Sequence, residues 1–90
     1  MAHLEVDLVA ADRTIWSGEA SMVSAPASEG EVGILPGHTP MLAVLRAGTV
    51  RITPLQGEVV RTDVEAGFIS VDENRVTVVS DSAVAGSAGR

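Results

Sequence analysis

Residues that favour turns recur at intervals of roughly eight to twelve along this chain, and the runs between them alternate apolar and polar side chains. In the run from residue 3 to residue 8, Leu4, Val6 and Leu8 share one face. Side chains alternate sides along a β-strand, so this run predicts a strand with one buried face. No stretch has the apolar period of an amphipathic helix. The spacing is typical of a sandwich or barrel of antiparallel strands, and we expect an all-β fold.

The remaining runs have the same character, with two local features that carry expectations of their own. Pro26 is expected to end the second strand because it has no N–H to donate. The continuous apolar run Met41–Leu45 predicts a buried strand. Trp16, the one tryptophan, is expected to anchor one end of the core rather than a ligand. Further strands are predicted over residues 14–16, 20–25, 49–53, 58–64, 68–71 and 75–79.

Ninety residues are enough for one domain with one core. We expect residues 1–81 to form that domain. Residues 82–90 are small and rich in glycine, so we expect a flexible tail that is either a mobile end or the stump of a longer chain. The sequence has no apolar run near the roughly 20 residues needed to cross a bilayer, and its first residues lack the basic and apolar regions of a signal peptide. We therefore expect a soluble protein.

Two absences exclude several kinds of chemistry. The chain has no cysteine, and its six basic residues are all arginine. Disulfides, thiolate metal sites, Schiff bases and lysine-borne carrier groups are therefore excluded. Twelve carboxylates give a net charge of −6, which makes nucleic acid an improbable partner and favours a basic protein.

The remaining polar patterns give weak candidates for a catalytic or metal site. His3, Glu5 and Asp7 share one strand face, but ligands spaced along a flat strand do not converge on a metal. Glu29 with Glu31, or Asp72 with Glu73, could be imagined as a glycosidase pair, although no cleft is evident. His38 is the best single candidate, yet a turn histidine bonded to nearby backbone is the commoner outcome. We predict no catalytic residue, no metal and no cofactor.

The segment Ser28–Leu42 specifies its backbone more closely than any other stretch. It holds three glycines, two prolines, two carboxylates and one of the two histidines. Pro36 and Gly37 are the pair favoured at the middle of a type II turn, so we expect a sharp reversal after Leu35. If the chain is extended at Glu29 and Glu31, their side chains point to the same side. A plain hairpin with a solvated acidic tip would have the same pattern.

The whole of Ser28–Leu42 resembles the signature segment of the epsilon subunit of bacterial rotary ATP synthases. Matches in the same order and spacing lie along the rest of the chain, at Glu5–Val6, Trp16–Gly18, Gly48–Ile52, Gly67–Val71 and Asn74–Val79. The resemblance implies a flattened antiparallel β-sandwich of about eight to ten short strands. It also implies a non-catalytic subunit of the central rotor stalk, which couples the gamma subunit to the c-ring of a proton-translocating ATP synthase during ATP synthesis. The implied location is peripheral, on the cytoplasmic face of the bacterial plasma membrane.

The resemblance also implies which residues contact each partner. The acidic loop faces the ring, which makes Glu29, Gly30, Glu31 and Val32 the candidate c-ring interface. The candidate gamma interface consists of Ala10, His38, Thr39, Pro40 and Met41. Family members usually continue into a helical hairpin that houses an ATP-sensing motif and an inhibitory arm, and this sequence ends before it. No ATP binding is therefore expected, whether the chain is a natural short form or a trimmed one.

A different class of function remains open beside this one. A free-standing β-sandwich adaptor that binds another basic protein or a carbohydrate would have the same charge and the same strand pattern. The two hypotheses differ in what the chain would retrieve from solubilised membranes, since only the first predicts gamma and the ring.

Overall fold

A computed structural model describes residues 3–10, 13–80 and 83–84, and every regular element among them is a β-strand. No helix in this part of the chain is long and apolar enough to span a membrane. The all-β expectation is confirmed, and the number of strands in the described residues falls within the predicted eight to ten. The nine strands are β1 (Leu4–Ala10), β2 (Arg13–Ala27), β3 (Gly30–Ile34), β4 (Met41–Leu45), β5 (Gly48–Pro54), β6 (Val60–Val64), β7 (Gly67–Asp72), β8 (Arg75–Ser80) and β9 (Ala83–Val84).

The strands follow the hydrogen-bonded order β1-β8-β7-β4-β2-β5-β6-β9, and β3 pairs with β2 beside this path. The long strand β2 belongs to both layers of the sandwich. Its first half pairs with β1, and its second half pairs with β3 and β5. Among the described pairings, only β1 with β8 is parallel. Strands that pass from one sheet to the other are a usual way of closing a sandwich at its corner.

The core is built from aliphatic side chains at alternate positions of the strands. In β1, Leu4, Val6 and Leu8 are buried, as the alternation predicted. Trp16 packs against the edge of this core and over Gly18, where an added Cβ would come within 2.9 Å of the indole ring. Its expected anchoring role is confirmed. The other fully buried large aliphatic side chains are Val23, Ile34, Val50, Ile52, Ile69, Val71, Val76 and Val78.

The expectation that Pro26 ends a strand is wrong. β2 runs without a break from Arg13 through Pro26 to Ala27, although two separate stretches were predicted here. The Pro26 carbonyl accepts a hydrogen bond from the N–H of Arg46 at 2.9 Å. Because the nitrogen and carbonyl of one strand residue point to the same edge, the missing N–H lies on the side of Arg46 and away from β3. Proline at position 26 therefore removes no hydrogen bond from the β2–β3 ladder.

The expectation that Met41–Leu45 is a buried strand is also wrong. Leu45 is buried, and Met41 and Ala43 pack against the core, but the other two side chains point outward. Leu42 is 71% exposed and Val44 is 63% exposed. An apolar run cannot by itself distinguish a strand covered on both faces from one whose outer face awaits a partner.

The predicted tail lies largely outside the described residues. Within residues 82–90, only Ala83–Val84 are described, and their backbone pairs with Val64 and Asp63 of β6.

Candidate partner-binding surfaces

The first candidate surface is the acidic turn, which we define as Ser28–Glu31. The β2–β3 hairpin reverses at Ser28 and Glu29, and Gly30 has a φ of 134°, a value that side-chain-bearing residues rarely adopt. Glu29 and Glu31 are both exposed. Glu29 belongs to the turn and not to β3, so strand alternation does not set its direction relative to Glu31.

A groove separates the acidic turn from β4. Its volume is about 440 Å³, and its lining runs over residues 27–32 and 41–44. Glu29 and Glu31 both belong to the lining of this groove. No basic side chain belongs to the lining. The groove therefore has an acidic wall facing a strand edge.

The second candidate surface is a row of outward-facing apolar side chains across four strands, which we call the apolar stripe. Val44 lies opposite Phe68, Phe68 lies opposite Val79, and Val79 lies opposite Val9. Phe68 is 43% exposed, and Val9 and Val79 are half-buried. Leu42 extends the stripe along β4. Large apolar side chains that stand together on a sheet face are the usual mark of a protein contact.

Sequence reasoning missed the apolar stripe, although the sequence contains a signal for it. In each of the four strands an outward-facing apolar residue stands directly beside an inward-facing one, which interrupts the alternation of apolar and polar residues. One member of each pair is more buried than the other, and the less buried member belongs to the stripe. The pairs are Leu8-Val9, Val44-Leu45, Phe68-Ile69 and Val78-Val79.

The structure does not bring the predicted gamma-interface residues together. Ala10 pairs with Ser80 at one end of β8, whereas Met41 lies in register with Val71, which pairs with Val76. Ser80 and Val76 are four positions apart, a distance of roughly 13 Å along the strand. The strands β8 and β7 also lie between β1 and β4. Ala10 is moreover only 7% exposed.

The turn that contains His38 has the geometry that the sequence predicted. The backbone N–H of His38 donates to the carbonyl of Leu35 at 3.1 Å, and Gly37 has the positive φ of 88° that a type II turn requires. The His38 ring nitrogen Nδ1 lies 2.7 Å from the carbonyl oxygen of Thr39. The histidine is thus bonded to nearby backbone, as expected. Thr39 and Pro40 are exposed in the connection that leads to β4.

Polar side chains on and beside β1 form a network of close contacts. His3 Nε2 lies 3.3 Å from Glu19 Oε2, and Arg75 contacts Glu5 at 3.3 Å and Asp7 at 3.8 Å. Ligand atoms of His3, Glu5 and Glu19 come within 4.8 Å of one another, so Glu19 and not Asp7 completes the acidic group around His3. The carboxylate of Glu5 is already paired with the guanidinium of Arg75. Such exposed pairs contribute at most about 1 kcal/mol each to stability.

The carboxylate pairs considered for glycoside hydrolysis lie on open surface. Glu29 and Glu31 are exposed beside the groove, and Asp72 and Glu73 are exposed at the β7–β8 turn.

Comparison with known proteins gives one consistent family. Residues 3–86 match the family model described as the beta-sandwich domain of the ATP synthase delta/epsilon chain. The ATP synthase epsilon chain of Micrococcus luteus is 51% identical over 88 residues, which cover 98% of this chain and 97% of that protein. The protein of the same name from Rhodococcus erythropolis is 48% identical over 84 residues, which cover 92% of this chain and 69% of the relative.

Solved structures support the same fold at lower identity. A chain in the cryo-EM structure of the Euglena gracilis mitochondrial ATP synthase, containing OSCP, F1 and the c-ring, matches 93% of this chain with a TM-score of 0.86 at 23% identity. A chain of the Tetrahymena thermophila mitochondrial ATP synthase central stalk and c-ring matches 90% with a TM-score of 0.79 at 17% identity. This chain spans 54% and 65% of those two chains, respectively. The family-model match over nearly the whole sequence, together with relatives near 50% identity, shows that the chain belongs to the ATP synthase delta/epsilon family and forms its β-sandwich domain.

Proposed function

We propose that this chain is a coupling subunit of the rotor in a proton-translocating ATP synthase. In that role it joins the gamma subunit to the c-ring during ATP synthesis, on the cytoplasmic face of a bacterial plasma membrane. The observation that carries the proposal is the position of β4, which borders an acidic groove on one edge and contributes to an apolar stripe on its outer face. One small sandwich thus offers two chemically different surfaces to two partners.

The acidic turn is the proposed contact with the ring. Glu29 lies in a two-residue reversal and Glu31 follows near the start of β3, and Gly30 between them carries no side chain. Val32, half-buried beside them, completes the candidate interface. Carboxylates that meet basic groups on the loops of the ring would set orientation and register more than affinity.

The proposed contact with gamma combines the predicted residues with the apolar stripe. His38, Thr39, Pro40 and Met41 lead into β4, where Leu42 and Val44 are exposed. Ala10 is too buried to contribute much directly, but its neighbour Val9 is the last member of the stripe. A firm contact needs apolar area removed from water, at about 25 cal/mol per Å². The stripe supplies that area, whereas a turn of polar residues does not.

The proposed mechanism is mechanical. β2 takes part in both layers, so a force applied to one sheet reaches the other through a continuous strand. The aliphatic core between the layers is close-packed, and such interiors deform little under load. The domain can then transmit torque if both surfaces hold.

The experiment compares Glu31→Arg with Glu58→Arg in the assembled complex. Glu58 is exposed and lies outside the strands between β5 and β6, far in sequence from the acidic turn, so it controls for the change in charge. We expect Glu31→Arg to reduce ATP-driven proton pumping several-fold and to leave the unfolding temperature of the isolated chain unchanged. Glu58→Arg should pump normally. Equal pumping by the two variants would contradict the assignment of the acidic turn to the ring.

A further inference from the structure

Among the residues that the structure describes, no strand pairs with one edge of β4 for most of its length. On one side, all five residues of β4 pair with β7. On the other side, β4 meets β2 only where Leu45 lies opposite Ala27. The chain reverses at Ser28, so β2 does not continue alongside the rest of β4.

The hydrogen bonds at this junction fix the direction of the free backbone groups. The carbonyl of Val44 accepts from the N–H of Ser28 at 2.8 Å, and the N–H of Arg46 donates to the carbonyl of Pro26 at 2.9 Å. Alternate residues of a strand present their polar groups to the same edge, so Leu42 presents its N–H and carbonyl to this edge as well. No strand among the described residues lies beside Leu42 there.

The groove already described occupies the place of the missing strand. Its volume of about 440 Å³ lies along residues 41–44 and is closed on the far side by the acidic turn. Four residues of extended chain span roughly 13 Å, and paired strands lie about 4.8 Å apart. A segment of that length would pair with β4 while passing Glu29 and Glu31.

We propose that this groove binds an extended, basic segment of a partner subunit by strand addition to β4. The segment would exchange backbone hydrogen bonds with Leu42 and place an arginine or lysine against the acidic turn. In contacts of this kind, backbone hydrogen bonds provide affinity and side chains provide specificity. The inference rests on the proposed function, because there the acidic turn faces the c-ring and the segment is therefore a ring loop. A second copy of this chain, with a net charge of −6, would be repelled.

Leu42→Pro tests the backbone contact directly. The N–H of Leu42 points into the groove and not toward β7, so proline removes the groove donor and leaves the β4–β7 ladder paired. Leu42→Ala is the matched control, since it shortens the side chain and keeps the N–H. In washed membranes carrying the assembled complex, we expect Leu42→Pro to lower retention of the chain at least tenfold and Leu42→Ala to lower it no more than threefold. Equal retention of the two variants would overturn the proposal.

Hydrogen exchange of the unmodified chain decides the question even if Leu42→Pro fails to fold. Mass spectrometry of peptides covering Met41–Val44 should show at least tenfold slower exchange in the assembled complex than in the free chain. Unchanged exchange would reject strand addition. The proposed function would still stand if Glu31→Arg alone uncoupled pumping, so the two failures are distinguishable.

A photo-crosslinking residue in place of Ser28, which lines the groove and lies outside the proposed gamma contact, then identifies the occupant. A product with the ring subunit supports the proposal. A product with gamma, or with a second copy of the chain, overturns it.

Discussion

The side-chain carbonyl of Asn74 accepts a hydrogen bond from the backbone N–H of Gly37 at 2.7 Å. The main-chain carbonyl of Asn74 also accepts from the N–H of Glu5 at 2.8 Å. One residue in the β7–β8 turn thus holds both the turn that precedes β4 and the start of β1. Its φ of 64° lies in the left-handed region, which asparagine tolerates better than most residues. Asn74 therefore helps to position the connection that leads into β4.

Replacing Asn74 by glycine should destabilise the chain by about 1 kcal/mol, because it removes the acceptor for Gly37 and keeps the left-handed backbone accessible. Urea denaturation measures the change. Glu73→Gly is the control: Glu73 has a φ of 49°, and its substitution should be neutral or slightly stabilising. Equal stability of the Asn74→Gly variant and the parent would show that the hydrogen bond contributes nothing.

Gly67→Ala should be among the most damaging single changes in the chain. Gly67 has a φ of 149°, and an added Cβ would overlap the carbonyl oxygen of Val79 on the paired strand. Strain and steric overlap together should cost about 3 kcal/mol or more. Gly33→Ala, on an exposed strand position with its nearest neighbour 3.9 Å away, is the matched control. Thermal unfolding of the two variants should differ clearly, and similar melting temperatures would contradict the expectation.

Thr62→Val should stabilise the fold. Thr62 is fully buried in β6, and its hydroxyl oxygen has no hydrogen-bond partner among the described residues. Valine has nearly the same shape without a polar group to desolvate, so we expect a gain of about 1 kcal/mol. Denaturant titration measures it, and Thr62→Ala, which opens a cavity instead, should be destabilising. A loss of stability in Thr62→Val would mean that the hydroxyl finds a partner in solution.

Phe68→Gln should weaken binding to purified gamma subunit several-fold, because it removes the largest side chain from the centre of the apolar stripe. Full burial of a phenylalanine is worth about 1.5–3 kcal/mol, and because Phe68 is 43% exposed in the free chain, binding gains less than half of that, where 1.4 kcal/mol corresponds to a factor of ten in the dissociation constant. Leu55→Gln is the control, since Leu55 is 49% exposed but lies outside the stripe. Calorimetric titration should show normal binding for that variant. Identical affinities would remove the stripe from the gamma interface.

Local sequence patterns predicted much of the fold. The alternation in β1 predicted its inward face correctly, and Pro36 with Gly37 predicted the turn whose hydrogen bond joins His38 to Leu35. The two wrong expectations, at Pro26 and at Met41–Leu45, concern strand edges and outer faces. Whether proline fits a strand depends on which neighbour its nitrogen faces, and local sequence does not specify that neighbour.

The candidate site was only partly accessible from sequence. The acidic turn was identified from its glycines and carboxylates, because turn chemistry is local. The apolar stripe needed the register of four strands, and the separation of Ala10 from Met41 needed the order in which they pair. The resemblance named residues for the gamma contact without placing them relative to one another.

The sequence by itself determined strands at regular intervals, a defined reversal after Leu35 and an exposed acidic turn, since each of these depends on residues close together in the chain. Only the tertiary structure decided that β1 runs parallel to β8, that β2 serves both layers and that, within the described part of the chain, one edge of β4 beside Glu29 and Glu31 has no paired strand. Strand pairing is the reason: backbone groups are nearly identical at every position, so the choice of partner follows from how all the apolar faces are buried together.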